Sequence, residues 1–237
     1  MTPARAYLFD LDGTLTDARD GLHASFRAAL AALSIADRSD ADLDRFLGTP
    51  LPEMFRTLKP GIPEADVAKG MNAFRAAYEV DGIWRNRLYP GVPEMLDAVT
   101  RRGCAAWVVT SKPEHYAIQV VKDLALGRHI AGVVGAGLSE TDTKTSLVAR
   151  ALAAARVQSD NALMLGDRFY DIEGATANRV AAVGALWGYG SRAELLEAGC
   201  TMFAGTADEF RVQFVETDRG RSGALWPAGR VRGSTGT

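Results

Sequence analysis

The strongest constraint on the fold is an alternation that begins at residue 89 and runs to residue 198. "CAAWVVT" (104–110), "HIAGVVGA" (129–136), "NALMLGD" (161–167) and "VAAVGAL" (180–186) read as short buried strands. Between them, residues 113–126, 144–156, 171–179 and 191–198 read as helices, and "YPGVPEMLDAVTRRG" (89–103) reads as a turn, a helix and a glycine stop. Strand and helix in strict alternation predict a parallel sheet with helices on both faces, a doubly wound α/β architecture of the Rossmann-like kind. "AYLFD" (6–10) supplies one more strand, and Gly13 marks a tight turn behind it.

Residues 16–88 break the alternation. Apolar residues recur at helical spacing over 20–33, and 40–59 and 63–80 read as further helices, interrupted by Pro50, Pro52 and the "KPGIP" turn. The expected organisation is a core domain of residues 1–15 and 89–215, an α-helical cap domain of 16–88 inserted after the first strand, and a flexible tail of 216–237 rich in Gly, Arg, Ser and Thr.

Composition removes several function classes. The formal net charge of −2 gives no general attraction to nucleic acid or to an anionic membrane. No apolar run is long enough to span a bilayer, and the N-terminus lacks the order of a signal peptide, so a cytoplasmic protein is expected; monomer and homodimer both remain open. Cys104 and Cys200 are far apart and are expected as reduced, buried thiols.

Ligands of open parallel sheets bind outside the carboxyl ends of the strands. Here those ends carry polar groups: Asp10-Leu11-Asp12-Gly13-Thr14 after the first strand, Thr110-Ser111-Lys112 after the second, and Gly166-Asp167 after the third, with Asp171 one helical turn on. Lys144 opens the helix between the second and third. Carboxylates are costly to desolvate beside a core. Gathered together, they become stable around Mg²⁺, a hard cation that prefers oxygen ligands. One carboxylate can then attack phosphorus to form an aspartyl-phosphate, while metal and lysine offset the phosphoryl charge. A second carboxylate, two residues on, can protonate the leaving oxygen and later activate water.

The chain resembles the haloacid dehalogenase-like hydrolases, in particular their phosphoglycolate phosphatase-like branch. "FDLDGTLTD", "VVTSK", Lys144 in "TKTSLVARAL" and "LGDRFYD" match the four motifs of that family, in order, within a likeness that runs from about residue 6 to 210. "FLGTPLPEMF", "NRLYPGVPEML" and "LWGYGSRAEL" resemble stretches common in the branch. One departure is Thr145, where many relatives carry proline. The resemblance implies Asp10 as nucleophile and metal ligand, and Asp12 as general acid/base that also binds metal through its carbonyl oxygen. It implies phosphate binding by Thr110 with Ser111 beside it, and charge neutralisation by Lys144. Asp167 is implied as a metal ligand, and Asp171 as an outer ligand. It also implies a cap that closes over a small phosphorylated metabolite: phosphoglycolate, a nucleotide or a sugar phosphate.

Plainer roles compete at some positions. Asp171 also suits the N-cap of the helix it opens. Lys112 reads as a solvated lysine outside the core site, and Trp107 as a core residue. His23, His115 and His129 have no ligand spacing and read as surface or packing residues. Arg45, Arg56, Lys59, Arg85 and Arg87 read as a solvated face from which one cation reaches a substrate anion. "GALWGYG" (184–190) is glycine-rich but lacks the context of a dinucleotide site. The main reading is a Mg²⁺-dependent phosphomonoesterase. A phosphomutase resembling β-phosphoglucomutase and a non-catalytic binding module on the same fold are the rivals; the second aspartate, Asp12, argues against dehalogenation.

Overall fold

Six apolar runs pair into one sheet, as seen in a computed structural model of the chain that describes residues 5–138 and 142–217. The chain begins with β1 (Ala6–Phe9), β2 (Thr16–Asp17), α1 (Arg19–Ala32), α2 (Asp40–Asp44), α3 (Leu51–Leu58), α4 (Glu64–Val80) and β3 (Arg87–Leu88). It continues through α5 (Val92–Arg101), β4 (Ala105–Pro113), α6 (Glu114–Asp123), β5 (Ile130–Ala136) and α7 (Lys144–Ala155). It ends with β6 (Ala162–Gly166), α8 (Phe169–Ala177), β7 (Ala181–Ala185), α9 (Arg192–Glu197), β8 (Met202–Ala204) and α10 (Ala207–Phe210).

The sheet order is β5-β4-β1-β6-β7-β8, and every neighbouring pair is parallel. The doubly wound α/β expectation holds. β1 sits between β4 and β6, with Phe9 level with Val108 on one side and Leu165 on the other. That register brings the ends of the three strands to one edge, where the chain reverses its direction across the sheet.

Side chains of β1 alternate between two cores, as the strand period of two requires. Tyr7 and Phe9 belong to one large apolar cluster that takes in residues of α5 and α6 and continues into the helices of 19–80. Ala6 and Leu8 pack on the other face with Val109, Val134, Leu147, Val148 and Met164. Trp107 packs half-buried against this second core, and a Cβ at Gly132 would collide with its ring. Burying each large side chain stabilises the sheet by roughly 1.5–3 kcal/mol.

Residues 16–88 are not helical throughout. β2 and β3 form an antiparallel ribbon, Thr16 opposite Leu88 and Asp17 opposite Arg87, at the two places where the helical block joins the sheet. Within the block α1 packs on α4, with the Phe26 and Phe74 rings 5.5 Å apart. The stretch 40–59 is two helices parted at Gly48, whose φ is +81°. Pro52 lies in the first turn of α3, where a missing N–H costs nothing, so it starts that helix rather than breaking one.

The edge strand β8 and the short α10 extend the sheet beyond the elements read from sequence. Phe210 packs edge-on to Phe9, 6.1 Å between ring centroids, and the Tyr7 hydroxyl donates to the Phe214 carbonyl at 2.8 Å. The expected tail of 216–237 lies, from residue 218 on, outside the described residues. Cys200 is buried and Cys104 half-buried, both as free thiols. Among the described residues no helix is long and apolar enough to cross a membrane.

Candidate active site

The chain turns sharply as β1 ends. The Asp10 amide donates to Leu165 O at 3.0 Å, and the amides of Leu15 and Thr16 both donate to Leu11 O at 2.9 Å. Gly13 makes the turn possible with φ of +95°. It also makes room, because a Cβ there would collide with the Asp167 carboxylate.

Lys144 is the first residue of α7, after Thr143, whose hydroxyl accepts the Ser146 amide at 3.2 Å. Its side chain is only 5 % exposed. The ammonium lies 2.7 Å from Asp10 Oδ1, 2.8 Å from Asp171 Oδ1 and 3.1 Å from the Val109 carbonyl. Asp167, fully buried, accepts the Thr14 hydroxyl at 3.0 Å and the Tyr189 amide at 2.8 Å. Thr110 is buried at the end of the straight part of β4, and its hydroxyl accepts the Lys112 amide at 3.2 Å. Ser111 lines the same cavity.

Carboxylate oxygens of Asp10, Asp167 and Asp171 lie within 4.8 Å of one another. Burial, with Asp171 and Asp12 nearby, outweighs the pull of Lys144 and raises the Asp10 pKa to about 6. Burial, then the charges of Asp10 and Asp171, raises Asp167 to about 8. Burial opposes the Lys144 ammonium, but Asp10 and Asp171 more than compensate and hold its pKa above the ordinary lysine range. The protein thus leaves its own cluster short of positive charge. An all-oxygen, buried, acidic donor set of this kind suits a hard divalent cation.

Two readings from sequence need correction. Lys112 is not a solvated lysine. Its side chain is 6 % exposed, ion-paired to Asp12 Oδ2, with the ammonium 4.9 Å from the centre of the Tyr78 ring. Asp171 does not open its helix. α8 starts at Phe169, so Asp171 sits in its first turn, accepting the Arg168 amide at 3.1 Å while it pairs with Lys144. It therefore serves the helix start and the charged cluster at once.

Sequence reasoning missed the loop after β7. A Cβ at Gly188 would collide with Asp167 and the Gly13 carbonyl, and one at Gly190 with the Asp167 carbonyl. The same loop holds the ribbon. Trp187 Nε1 donates to Thr14 O at 3.0 Å, and Ala18 N donates to the Tyr189 hydroxyl at 2.8 Å. Two glycines in "LWGYG", beside large aromatics, were the available signal of such close backbone approach.

Of the basic residues of the helical block, Arg56 pairs with Glu64 at 2.7 Å and Arg85 with Asp81. His23 is buried, with ring nitrogens 3.4 Å from Asp40 and 3.0 Å from Asp44. The cations that reach the cavity from outside the predicted set are Arg75, Lys112 and Arg168. That cavity, about 90 Å³, lies between Asp10, Asp12, Thr110 and Lys144 on the sheet side and Phe74 and Tyr78 on the helical side.

Comparison with known proteins agrees with this arrangement. The sequence model of the haloacid dehalogenase-like hydrolases matches residues 7–185. A 5′-nucleotidase of Pseudomonas aeruginosa is 39 % identical over 189 residues, 79 % of this chain and 85 % of that protein. A tyrosine-protein kinase of Mycobacterium tuberculosis is 34 % identical over 209 residues, 86 % of this chain and 70 % of that one. A phosphoglycolate phosphatase of Agrobacterium fabrum is 30 % identical over 189 residues, 77 % of this chain and 80 % of that one. The crystal structure of a predicted phosphatase from Clostridium acetobutylicum superposes with a TM-score of 0.86 at 30 % identity, covering 91 % of this chain and all of that one.

Proposed function

The chain belongs to the haloacid dehalogenase-like hydrolases and is a phosphatase of that family; from that premise we propose a Mg²⁺-dependent phosphomonoesterase that works through an aspartyl-phosphate on Asp10. One observation carries the reading: three buried carboxylates converge within 4.8 Å, beside a lysine bonded to two of them. Outside a metal and phosphate site that arrangement is costly.

In this reading each side chain of the cluster has its own role. Lys144 takes one oxygen of Asp10 and fixes the orientation of its carboxylate toward the cavity. The phosphoryl group of a small metabolite sits against Thr110 and Lys144, with Ser111 beside them. Asp10 attacks phosphorus, and the leaving oxygen takes a proton from Asp12. Asp12 then accepts a proton from the water that releases phosphate from Asp10. Asp10, Asp167 and the Asp12 carbonyl, with Asp171 behind, would hold the cation, which when bound supplies positive charge to the phosphoryl oxygens. The helices of 19–80 act as a cap that excludes water once substrate is in place.

The test is phosphate release from phosphoglycolate, nucleoside 5′-monophosphates and sugar phosphates, with Mg²⁺ and with chelator. Release that needs both Mg²⁺ and Asp10 is expected. Unchanged release by Asp10→Asn would remove the assignment. The kinase-named relative favours a second reading, transfer from Asp10 to a hydroxyl acceptor other than water. Release of inorganic phosphate with no acceptor present decides against it.

A further inference from the structure

Lys112 lies 100 residues from Asp12 in the chain, yet it is buried against it. A buried ammonium requires partners, and the groups on this one are informative. Its charge meets Asp12 Oδ2, from the core. Its open side meets the face of Tyr78, a residue of α4 that is 1 % exposed. Tyr78 is itself fixed inside the helical block: its ring stacks on Phe74 at 5.8 Å, and Asn86 Nδ2 donates to its hydroxyl at 3.4 Å. The other oxygen of Asp12 accepts the Thr16 hydroxyl at 3.2 Å, on the ribbon where that block joins the sheet.

We propose that Lys112 is a positioning residue for Asp12, and that Tyr78 completes its seat, so that the acid/base is held in register only while the helical block lies closed over the sheet. The proposal rests on the phosphatase reading of the site, in which Asp12 moves the proton. Lys112 takes no part in the transfer and stays an ammonium. As the bond from Asp10 to phosphorus forms and the bond to the leaving oxygen breaks, the proton goes from Asp12 to that oxygen. Asp12 regains one from the attacking water in the next half of the cycle. When the block swings away, Tyr78 leaves, water reaches Lys112, and the carboxyl group is no longer fixed from both sides.

A positioning role makes a prediction that a structural role does not. Aryl esters with a weakly basic leaving group need little proton donation, whereas alkyl esters need it fully. The experiment measures kcat/KM with Mg²⁺ over a series from p-nitrophenyl phosphate to simple alkyl phosphates, for wild type, Lys112→Met, Lys112→Arg and Tyr78→Leu. Lys112→Met is expected to lose little on p-nitrophenyl phosphate and on the order of 10–100-fold on the alkyl esters, part of the usual worth of a general acid. Lys112→Arg keeps the charge and recovers most of that loss. Tyr78→Leu repeats the pattern more weakly.

A loss equal for every ester, or no loss, overturns the proposal. So does a loss confined to esters that carry a second anionic group, which would make Lys112 a substrate ligand. Wild-type turnover is read in the same series. Its absence would overturn the phosphatase reading and this proposal with it, whereas turnover with a flat Lys112→Met profile overturns the proposal alone.

Discussion

The cleft has two walls, and they are built by different rules. The sheet wall is charged and rigid. Asp10, Thr110, Lys144, Asp167 and Asp171 are all buried, four of them at a strand end or in a first helical turn and Thr110 where the regular pairing of β4 with β5 stops. The helical wall is mainly aromatic where it faces the cavity, with Phe26, Phe74 and Tyr78, and Arg75 is the cation it brings there. It joins the sheet through a two-residue ribbon and touches it through the Tyr78 ring, which lies on Lys112 and edge-on to Tyr116 at 5.4 Å, and through polar contacts of Arg168 to Leu47 O, Tyr170 to Glu53 at 3.2 Å, and Tyr116 to Glu79 at 2.5 Å. The two walls divide the labour. Electrostatic stabilisation needs donors that do not move when charge develops. Access needs a part that does, and solvent-facing side-chain contacts give way more easily than a packed core.

Substitutions on the two walls should therefore fail differently. The largest effect belongs to Asp10→Asn. It removes the proposed nucleophile and should reduce turnover by more than about a thousandfold, while thermal melting of the metal-free protein stays level or rises, because a buried charge is gone. Loss of the fold instead would show that the sheet wall is held by its charges.

Gly188→Ala is expected next, with a loss of about 10–100-fold in kcat if misplacing a proposed metal ligand acts as a misaligned catalytic group does. Its new methyl has to displace Asp167 or the Gly13 turn. Excess Mg²⁺ should recover part of the rate. A normal Mg²⁺ requirement in that variant would separate the loop after β7 from the site.

The acidic cluster also predicts how stability follows pH. Folded-state pKa values of about 6 for Asp10 and about 8 for Asp167 are raised above the unfolded value of 3.8. Over that window the folded protein holds more protons than the unfolded chain, so stability falls as pH rises. In chelator, the melting temperature should drop from about pH 4 to pH 8 more steeply in wild type than in Asp167→Asn. Mg²⁺ should flatten the wild-type curve. Identical curves for the two proteins would show that the cluster carries no such strain.

The smallest effect is expected on the helical wall. Tyr170→Phe removes one exposed contact to Glu53 and should shift KM a few-fold at most, as exposed contacts contribute about 1 kcal/mol or less. A fall in kcat as large as that of Gly188→Ala would mean that the two walls are not separable.

The sheet wall was legible in the sequence for the same reason that it is rigid. Carboxylates such as Asp10 and Asp167, set directly behind apolar strands, contradict burial unless something binds there, and strand ends have fixed places in a doubly wound sheet. Lys112 was illegible because its partner lies across the fold and its seat depends on Tyr78, a helix residue whose spacing says only that it is buried. Asp171 was half-legible, since one local pattern suits a helix start and a ligand. The ribbon β2–β3 and the strand β8 were missed because two or three residues leave no period to read.

The most direct measurement is of the covalent intermediate. The protein is mixed with Mg²⁺ and excess p-nitrophenyl phosphate, quenched in acid within the first turnovers, and digested for mass spectrometry. A phosphoryl group on the peptide that carries Asp10, absent in chelator and labile to hydroxylamine, is the predicted result. Phosphate release with Asp10 never modified, or modification at another residue, would contradict the account.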